Sequence, residues 1–258
     1  MLRFRSLGSG SSGNATVIEC KSAAHTKRLL VDCGLKLKQL HLQLDHSGLR
    51  ASDLDGIFIT HEHSDHIGCA LSLAKQYQLP VWASRGTWAA LGHPDLGSLY
   101  HTAFDAAPIA LGDLVITPFT VPHDAREPLQ LTCTDGERKL GILTDLGHAS
   151  MHVLTHLADC TGLLLECNHD LEMLRNSSYP TFLKQRVAGR MGHLCNADAA
   201  ALLAQIAHTG LHTVVAAHLS QQNNRPHLAL AALASALSYA PTCLQAADAE
   251  HGTPWLQL

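Results

Sequence analysis

Between positions 61 and 66 the chain carries three histidines and two carboxylates: His61, Glu62, His63, Asp65 and His66, directly after the apolar run "GIFIT". Imidazole nitrogen is a common ligand for zinc, and carboxylate oxygen suits the same borderline cations. In an extended segment, residues two apart project to the same side, so His61 and His63 can face one ion together. Asp65 and His66 follow at once, and one ion cannot easily take four ligands from so short a segment. The spacing therefore predicts two neighbouring ions. Such a pair, ~3.5–4 Å apart, can share an activated water and stabilise both oxygens of a displacement at a phosphate ester. Glu62 points away from its histidine neighbours in an extended chain and reads as a helix cap or a solvated carboxylate.

The elements that must position this cluster can be read around it. Short apolar, β-branched runs alternate with longer Ala/Leu segments of helical spacing, an α/β pattern. The predicted strands are "RLLVDCG", "GIFITHEH", "LVITPFTVPHD", "LGILTDLGH", "GLLLECNHD" and "TVVAAHLS", and each ends in an acid or a histidine. Helices are predicted in "GCALSLAKQYQ", in "NADAAALLAQIAHTG" with Asn196 as N-cap and Gly210 as stop, and in "RPHLALAALASAL". In sheets with helical crossovers the loops at strand ends converge on one crevice, so six separated segments could share a site. The plainer alternative is that these polar residues mark where strands reach water. No linker, repeat or low-complexity tract interrupts the sequence, and residues 1–258 read as one domain.

Composition narrows the context. With 46% hydrophobic and 16% charged residues, the chain is neither disordered nor fibrous. Histidine is the outlier, at 19 residues. The N-terminal sequence has no sustained apolar segment after its two arginines, which gives the expectation of a cytoplasmic protein without a membrane anchor. The eight cysteines are scattered, without a CxxC pair, and read as buried free thiols. A formal net charge of −4 argues against a broad basic surface for nucleic acid but leaves room for a local groove.

The pattern HxHxDH, with an apolar strand before it and a helix after it, resembles the signature of the metallo-β-lactamase superfamily. That resemblance implies a four-layer αββα sandwich and a dinuclear site. It implies His61, His63, His123 and Asp145 on one ion, and Asp65, His66, Asp145 and His218 on the other, with Asp145 bridging. Here "VPHDA" supplies His123, "LTDLGH" supplies Asp145 and "AAHLS" supplies His218. Asp32 in "LLVDCG" matches the strand-end aspartate that supports the ligand loop from behind, and Asp65 is also placed among the catalytic residues. The implied cofactors are two divalent ions, Zn²⁺ or Mn²⁺, with Fe²⁺ also fitting a His/Asp set.

Finer motifs, "LGSGSSGNATVIE", "ECNHDLEMLRNSSYP", "GRMGHLCNADAA" and "HLSQQNN", look like the YycJ (WalJ) exonuclease group within that superfamily. The resemblance implies a DNA exonuclease, working 5′ to 3′ on single- or double-stranded substrate, with precedent in DNA repair. It departs at Cys195, where serine is expected, and at Cys69, where glycine is expected. His193 lies in a Gly-containing loop before a helix, where branches similar to tRNase Z place a proton donor, and is read as the general acid; the alternative is a histidine that only bonds its loop. In "GSGSSGN", Ser9, Ser11, Ser12 and Asn14 could meet phosphate oxygens, although such turns are often plain connections. His148, His169 and Asn223 are further candidates for substrate contact. Arg175, Lys184, Arg186 and Arg190, against Asp170 and Glu172, could form a backbone-binding groove or an ordinary solvated face. Three other readings remain open: a small-molecule phosphodiesterase, a lactam or thioester hydrolase, and a non-catalytic metal-stabilised binding protein.

Overall fold

The computed structural model describes residues 1–258 as two seven-stranded sheets packed face to face, with helices on both outer sides. The first sheet contains β1 (Leu2–Gly8), β2 (Ala15–Lys21), β3 (Thr26–Val31), β4 (Gly56–Phe58), β5 (Val81–Ala83) and β6 (Tyr100–Thr102) in that order. The second runs through β7 (Ile109–Leu111), β8 (Leu114–Thr120), β9 (Leu129–Thr134), β10 (Lys139–Leu143), β11 (Gly162–Glu166), β12 (Thr213–Ala217) and β13 (Cys243–Ala246). The short β14 (Leu256–Gln257) returns to the free edge of β1. The helices are α1 (Leu37–His46), α2 (Ser64–Ile67), α3 (Ala70–Tyr77), α4 (Arg85–Ala90), α5 (Met151–Leu157), α6 (Leu171–Asn176), α7 (Thr181–Val187), α8 (Asn196–Ile206) and α9 (Pro226–Ser235).

The central strands are apolar at consecutive positions because both of their faces are covered. On β11, Leu163 and Leu165 face the layer of α5, α8 and α9, whereas Leu164 faces the other sheet. On β4, Ile57 packs toward α1 and α3 while Phe58 enters the seam between sheets. Three apolar layers result, as an αββα sandwich requires. No helix is long and apolar enough to cross a membrane.

Each sheet couples an antiparallel half to a parallel half. Strands β3 to β6 run parallel, as do β10 to β13, and β8 points the same way as β10 through the antiparallel β9 between them. Strands β3, β4, β8, β10, β11 and β12 therefore end on one rim, and the six predicted polar segments emerge there together. All six predicted strands and all three predicted helices form. One boundary differs: Cys195, not Asn196, caps α8, its sulfur accepting the amide of Asp198 at 3.4 Å. Asn196 is turned inward onto Asn224, with amide contacts of 2.9 and 2.8 Å, and the helix stops at Ala207, ahead of Gly210. The crossover from β11 to β12 is the longest excursion from the second sheet and carries α6, α7 and α8.

Candidate metal centre

Four imidazoles reach the rim with their outer nitrogens already committed. His66 Nδ1 donates to Asp32 Oδ2 at 2.7 Å, His123 Nδ1 to the carbonyl of Gly192 at 3.0 Å, and His218 Nδ1 to the carbonyl of Thr144 at 2.6 Å. His61 Nδ1 donates to Thr60 Oγ1 at 3.0 Å, and that hydroxyl donates in turn to Asp32 Oδ2 at 2.8 Å. Each bond fixes a tautomer and leaves Nε2 as a bare acceptor pointing inward. Asp32 is thus tied to two of the four rings.

The inward atoms fall into two groups. His61 Nε2 lies 3.0 Å from His63 Nδ1, which lies 3.3 Å from His123 Nε2. Nitrogens ~2.0–2.1 Å from one tetrahedral ion stand ~3.4 Å apart, so these separations are those of a shared coordination sphere. On the other side His66 Nε2 is 3.7 Å from Asp65 Oδ2, and His218 Nε2 is 3.5 Å from the same oxygen. Asp145 lies between: Oδ1 is 3.8 Å from His123 Nε2 and Oδ2 is 2.7 Å from His66 Nε2. Asp145 is buried, with its two oxygens facing both groups of ring nitrogens. A buried carboxylate among so many imidazoles is the donor set that divalent cations take. The residues present fit two divalent ions.

Charge in the metal-free cluster follows the same geometry. Burial opposes ionisation of Asp145, yet the rings of His218 and His66 hold its carboxyl well below the usual range. Burial also disfavours the cation on His66, but Asp145 and Asp32 prevail and push it up to about 10. His61, buried beside three other rings, is driven well below its ordinary value.

Backbone packing holds the two halves in register. The turn after β1 places the amide of Asn14 on the carbonyl of Asp65 at 2.8 Å, and the amide of Gly34 on the carbonyl of Asn14 at 2.9 Å. Gly34 is obligatory, since a Cβ there would collide with the Asp65 carbonyl. His218 sits at φ 52°, a left-handed conformation that a non-glycine residue adopts only when held, and its amide donates to Ser9 Oγ at 2.8 Å.

Several expectations need correction. Ser9 is buried and spent on His218, and Asn14 is buried within its turn and against Asp65 and His66, so neither hydroxyl nor amide is presented to solvent phosphate. Ser12 is exposed, and Ser11 lines the cleft of about 290 Å³ over the cluster, together with Ser64, Asp65, Arg186 and His193. Asn223 is buried and bonded to Ser220. His148 and His169 line a separate cavity of about 260 Å³ behind His193. There His148 accepts from Arg190 at 3.2 Å, while His169 is buried with neither ring nitrogen bonded, and burial pushes it down to about 4. Glu62 is neither helix cap nor free carboxylate: it accepts the amide of Arg126 at 2.8 Å and so pins the loop that carries His123.

The residue that sequence reasoning missed is Glu166, the last residue of β11. Fully buried, it accepts Nδ1–H of His193 at 2.7 Å through Oε1, and the amides of Leu146 and Leu194 at 2.7 and 3.2 Å through Oε2. Burial raises the Glu166 carboxyl, with the His193 charge opposing. Conversely, burial disfavours the His193 cation, but Glu166, and Asp145 at 3.1 Å, push it up to about 9. Its Nε2 is left free, with the ring 5.2 and 5.3 Å from those of His123 and His218. The signal was an acid closing the apolar run "GLLLE", masked by the more conspicuous His169.

Of the basic run, only Arg186 enters the cleft, where its Nε donates to Asp124 Oδ2 at 2.6 Å. Lys184 folds back onto the carbonyl of Arg175 at 2.6 Å, and Arg175 pairs with Glu172 at 2.7 Å. Arg190 points into the second cavity.

Comparison with known proteins agrees with this geometry. The beta-lactamase superfamily domain matches residues 27–219. The chain is 36% identical to "Exodeoxyribonuclease YycJ" of Bacillus anthracis over 231 residues, covering 88% of this chain and 86% of that one. It is 35% identical to "Exodeoxyribonuclease WalJ" of Streptococcus pneumoniae over 244 residues, covering 92% and 89%. The crystal structure of the metallo-beta-lactamase fold protein YhfI from Bacillus subtilis superposes with a TM-score of 0.74 at 18% identity, covering 99% of this chain and 98% of that one. With two groups of candidate ligands meeting at Asp145 on the rim of an αββα sandwich, the chain belongs to the metallo-β-lactamase superfamily, in the group that holds YycJ and WalJ.

Proposed function

We propose that the protein is a dinuclear metal-dependent phosphodiesterase that acts on DNA as an exonuclease, from the 5′ end. The observation that carries the reading is the His193–Glu166 pair beside the bridging carboxylate. Of the two ions, His61, His63, His123 and Asp145 would hold one, and Asp65, His66, Asp145 and His218 the other. When bound, they supply Lewis acidity that activates water and neutralises charge on a phosphoryl group.

The chain's own residues do the rest. Expulsion of a 3′-oxygen needs a proton, and a positioned acid is typically worth ~10²–10⁴-fold. His193 holds that proton on Nε2, facing the cleft, while Glu166 keeps Nδ1–H oriented and stabilises the imidazolium. Asp65 has one carboxylate oxygen toward the second group of ligands and lines the cleft, where it can orient the attacking water. Arg186 and the hydroxyl of Ser11 stand at the cleft mouth, placed for the non-bridging oxygens of a phosphate. The relatives named exodeoxyribonuclease support DNA over a smaller diester. A role in DNA repair and a cytoplasmic location are part of this reading.

The test is cleavage of single- and double-stranded DNA labelled separately at the 5′ and 3′ ends, by metal-loaded protein with Asp145→Ala as control. Early release of 5′-terminal products by the wild type alone is the expected result. No DNA cleavage, with bis(p-nitrophenyl) phosphate still hydrolysed, would move the substrate to a small diester; inertness toward both would leave a metal-stabilised binding protein.

A further inference from the structure

All eight cysteines are free, but two of them touch. Cys33 follows Asp32 at the end of β3, and Cys69 follows Gly68 at the end of α2; their sulfurs are 3.2 Å apart. A disulfide requires ~2.05 Å between sulfurs, so closure needs an approach of only about 1 Å. The backbone is already arranged for it. The amide of Cys69 donates to the carbonyl of Cys33 at 3.0 Å, and the amide of Cys33 donates to the carbonyl of His66 at 2.8 Å. These two bonds keep the segments carrying the two sulfurs in register with each other. Access is one-sided: Cys33 is fully buried, whereas Cys69 is partly exposed at the start of α3.

We propose that Cys33 and Cys69 are a reversible dithiol–disulfide site, oxidised by hydrogen peroxide, that staples the segment after β3, which carries Asp32, to the helix bearing Asp65 and His66. Peroxide reaches Cys69 first. Its sulfur takes one peroxide oxygen, the O–O bond breaks, and one water leaves, giving a sulfenic acid. The Cys33 sulfur then attacks the Cys69 sulfur, the S–S bond forms, the S–O bond breaks, and a second water leaves with the Cys33 proton. Two thiols lose two electrons in total and one peroxide becomes two waters. The position gives the bond its consequence. Asp32 orients His66 from one side of the staple, and α2 presents Asp65 and His66 from the other, so the closed form resists separation of the two segments when metal leaves. Disulfide formation stands on geometry alone; its effect on metal retention rests on the ligand set proposed above.

Full-length, zinc-loaded protein treated with stoichiometric hydrogen peroxide, then denatured and alkylated, is the material for the test. Free thiols should fall from eight to six, a peptide linked through Cys33 and Cys69 should be recovered, and dithiothreitol should reverse both. Oxidation of Cys69 to sulfinic acid with Cys33 still alkylatable, or a linkage elsewhere, overturns the site. Zinc release to a colorimetric chelator should be several-fold slower from oxidised than from reduced protein, and peroxide should not slow it in Cys69→Ser, a near-isosteric substitution at a position whose side chain makes no capping bond. Equal release from oxidised and reduced wild type, with the linked peptide present, overturns the staple while leaving the phosphodiesterase reading intact. Slowing that persists in Cys69→Ser places the effect elsewhere and overturns it too.

Discussion

Replacing Glu166 by glutamine changes one atom and should separate proton donation from metal binding. Glu166 Oε2 accepts two backbone amides, so the carbonyl oxygen of the new side chain must take that position. Its NH₂ group then faces Nδ1 of His193, where the imidazolium presents a proton of its own. Two donors oppose each other, and the ring can relieve this only by losing the Nδ1 proton. In the metal-free protein burial disfavours the His193 cation, but it is raised from 6.5 to about 9, with Glu166 the leading opponent of burial. A hydrogen bond to a charged partner contributes ~1.5–3 kcal/mol, which at ~1.36 kcal/mol per pKa unit corresponds to a fall of about 1–2 units. An acid must be protonated, so turnover on DNA is lost as pH rises through the His193 value, and that alkaline limb should move to lower pH by about 1–2 units in the variant. The assay is the pH dependence of kcat for metal-loaded protein on DNA and on bis(p-nitrophenyl) phosphate, whose nitrophenolate leaves without a proton. Metal content should match the wild type, and the diester with the good leaving group should be nearly indifferent. An unmoved alkaline limb, or equal losses on both substrates, would refute the assignment of His193 and Glu166.

Other outcomes follow from the same geometry. His193→Ala should lower DNA turnover ~10²–10⁴-fold with both ions retained, and metal loss measured by elemental analysis would instead give the ring a structural role. Asp145→Ala should abolish activity and reduce metal content, since both ligand groups share that carboxylate. Ser9→Ala leaves the buried amide of His218 without its acceptor; denaturant melting should show a loss of about 1–3 kcal/mol, and an unchanged midpoint would sink the anchoring role. Arg186→Glu should weaken DNA binding and flatten its salt dependence, with the slope reduced by about 0.7–0.9 per lost phosphate contact. Lys184→Glu should do much less, because Lys184 is turned onto Arg175. In the metal-free protein, His66 is raised to about 10, so its contribution to stability is complete below the unfolded value near 6.5 and is lost as pH rises toward 10. Metal affinity should run the opposite way, because binding must expel that proton. Calorimetry from pH 6 to 10 with and without chelator reports both trends.

Much of the rim was legible in the sequence because an apolar run that stops at an acid or histidine marks a strand end, and parallel strands collect such ends. His61, His63, Asp65, His66, His123, Asp145 and His218 all arrive there, and Asp32 arrives behind them. What the sequence could not show was which way each polar atom turns. Ser9 looks like a phosphate ligand in "GSGSSGN" until β12 is seen to end beside it; Glu62 looks solvated until the loop at Arg126 folds over it. Glu166 stayed hidden because a buried carboxylate and a carboxylate at the water boundary leave the same mark at the end of an apolar run. The contact between Cys33 and Cys69 joins positions 36 residues apart and has no local signature.

The crossover between β11 and β12 brings His193 and Arg186 to a site whose proposed ligands all lie outside it. The ions would be held by one set of strand ends, while the proposed proton donor and the cation at the cleft mouth arrive together on a separate loop of α6, α7 and α8. Variation confined to that loop can therefore alter which bond is reached and which leaving group is served, provided the carbonyl at position 192 still accepts from His123 Nδ1. Grafting residues 167–195 between members of the superfamily, with Glu166 kept beneath them as a common socket, is accordingly a route by which one inherited metal cradle could acquire a new preference in a single exchange.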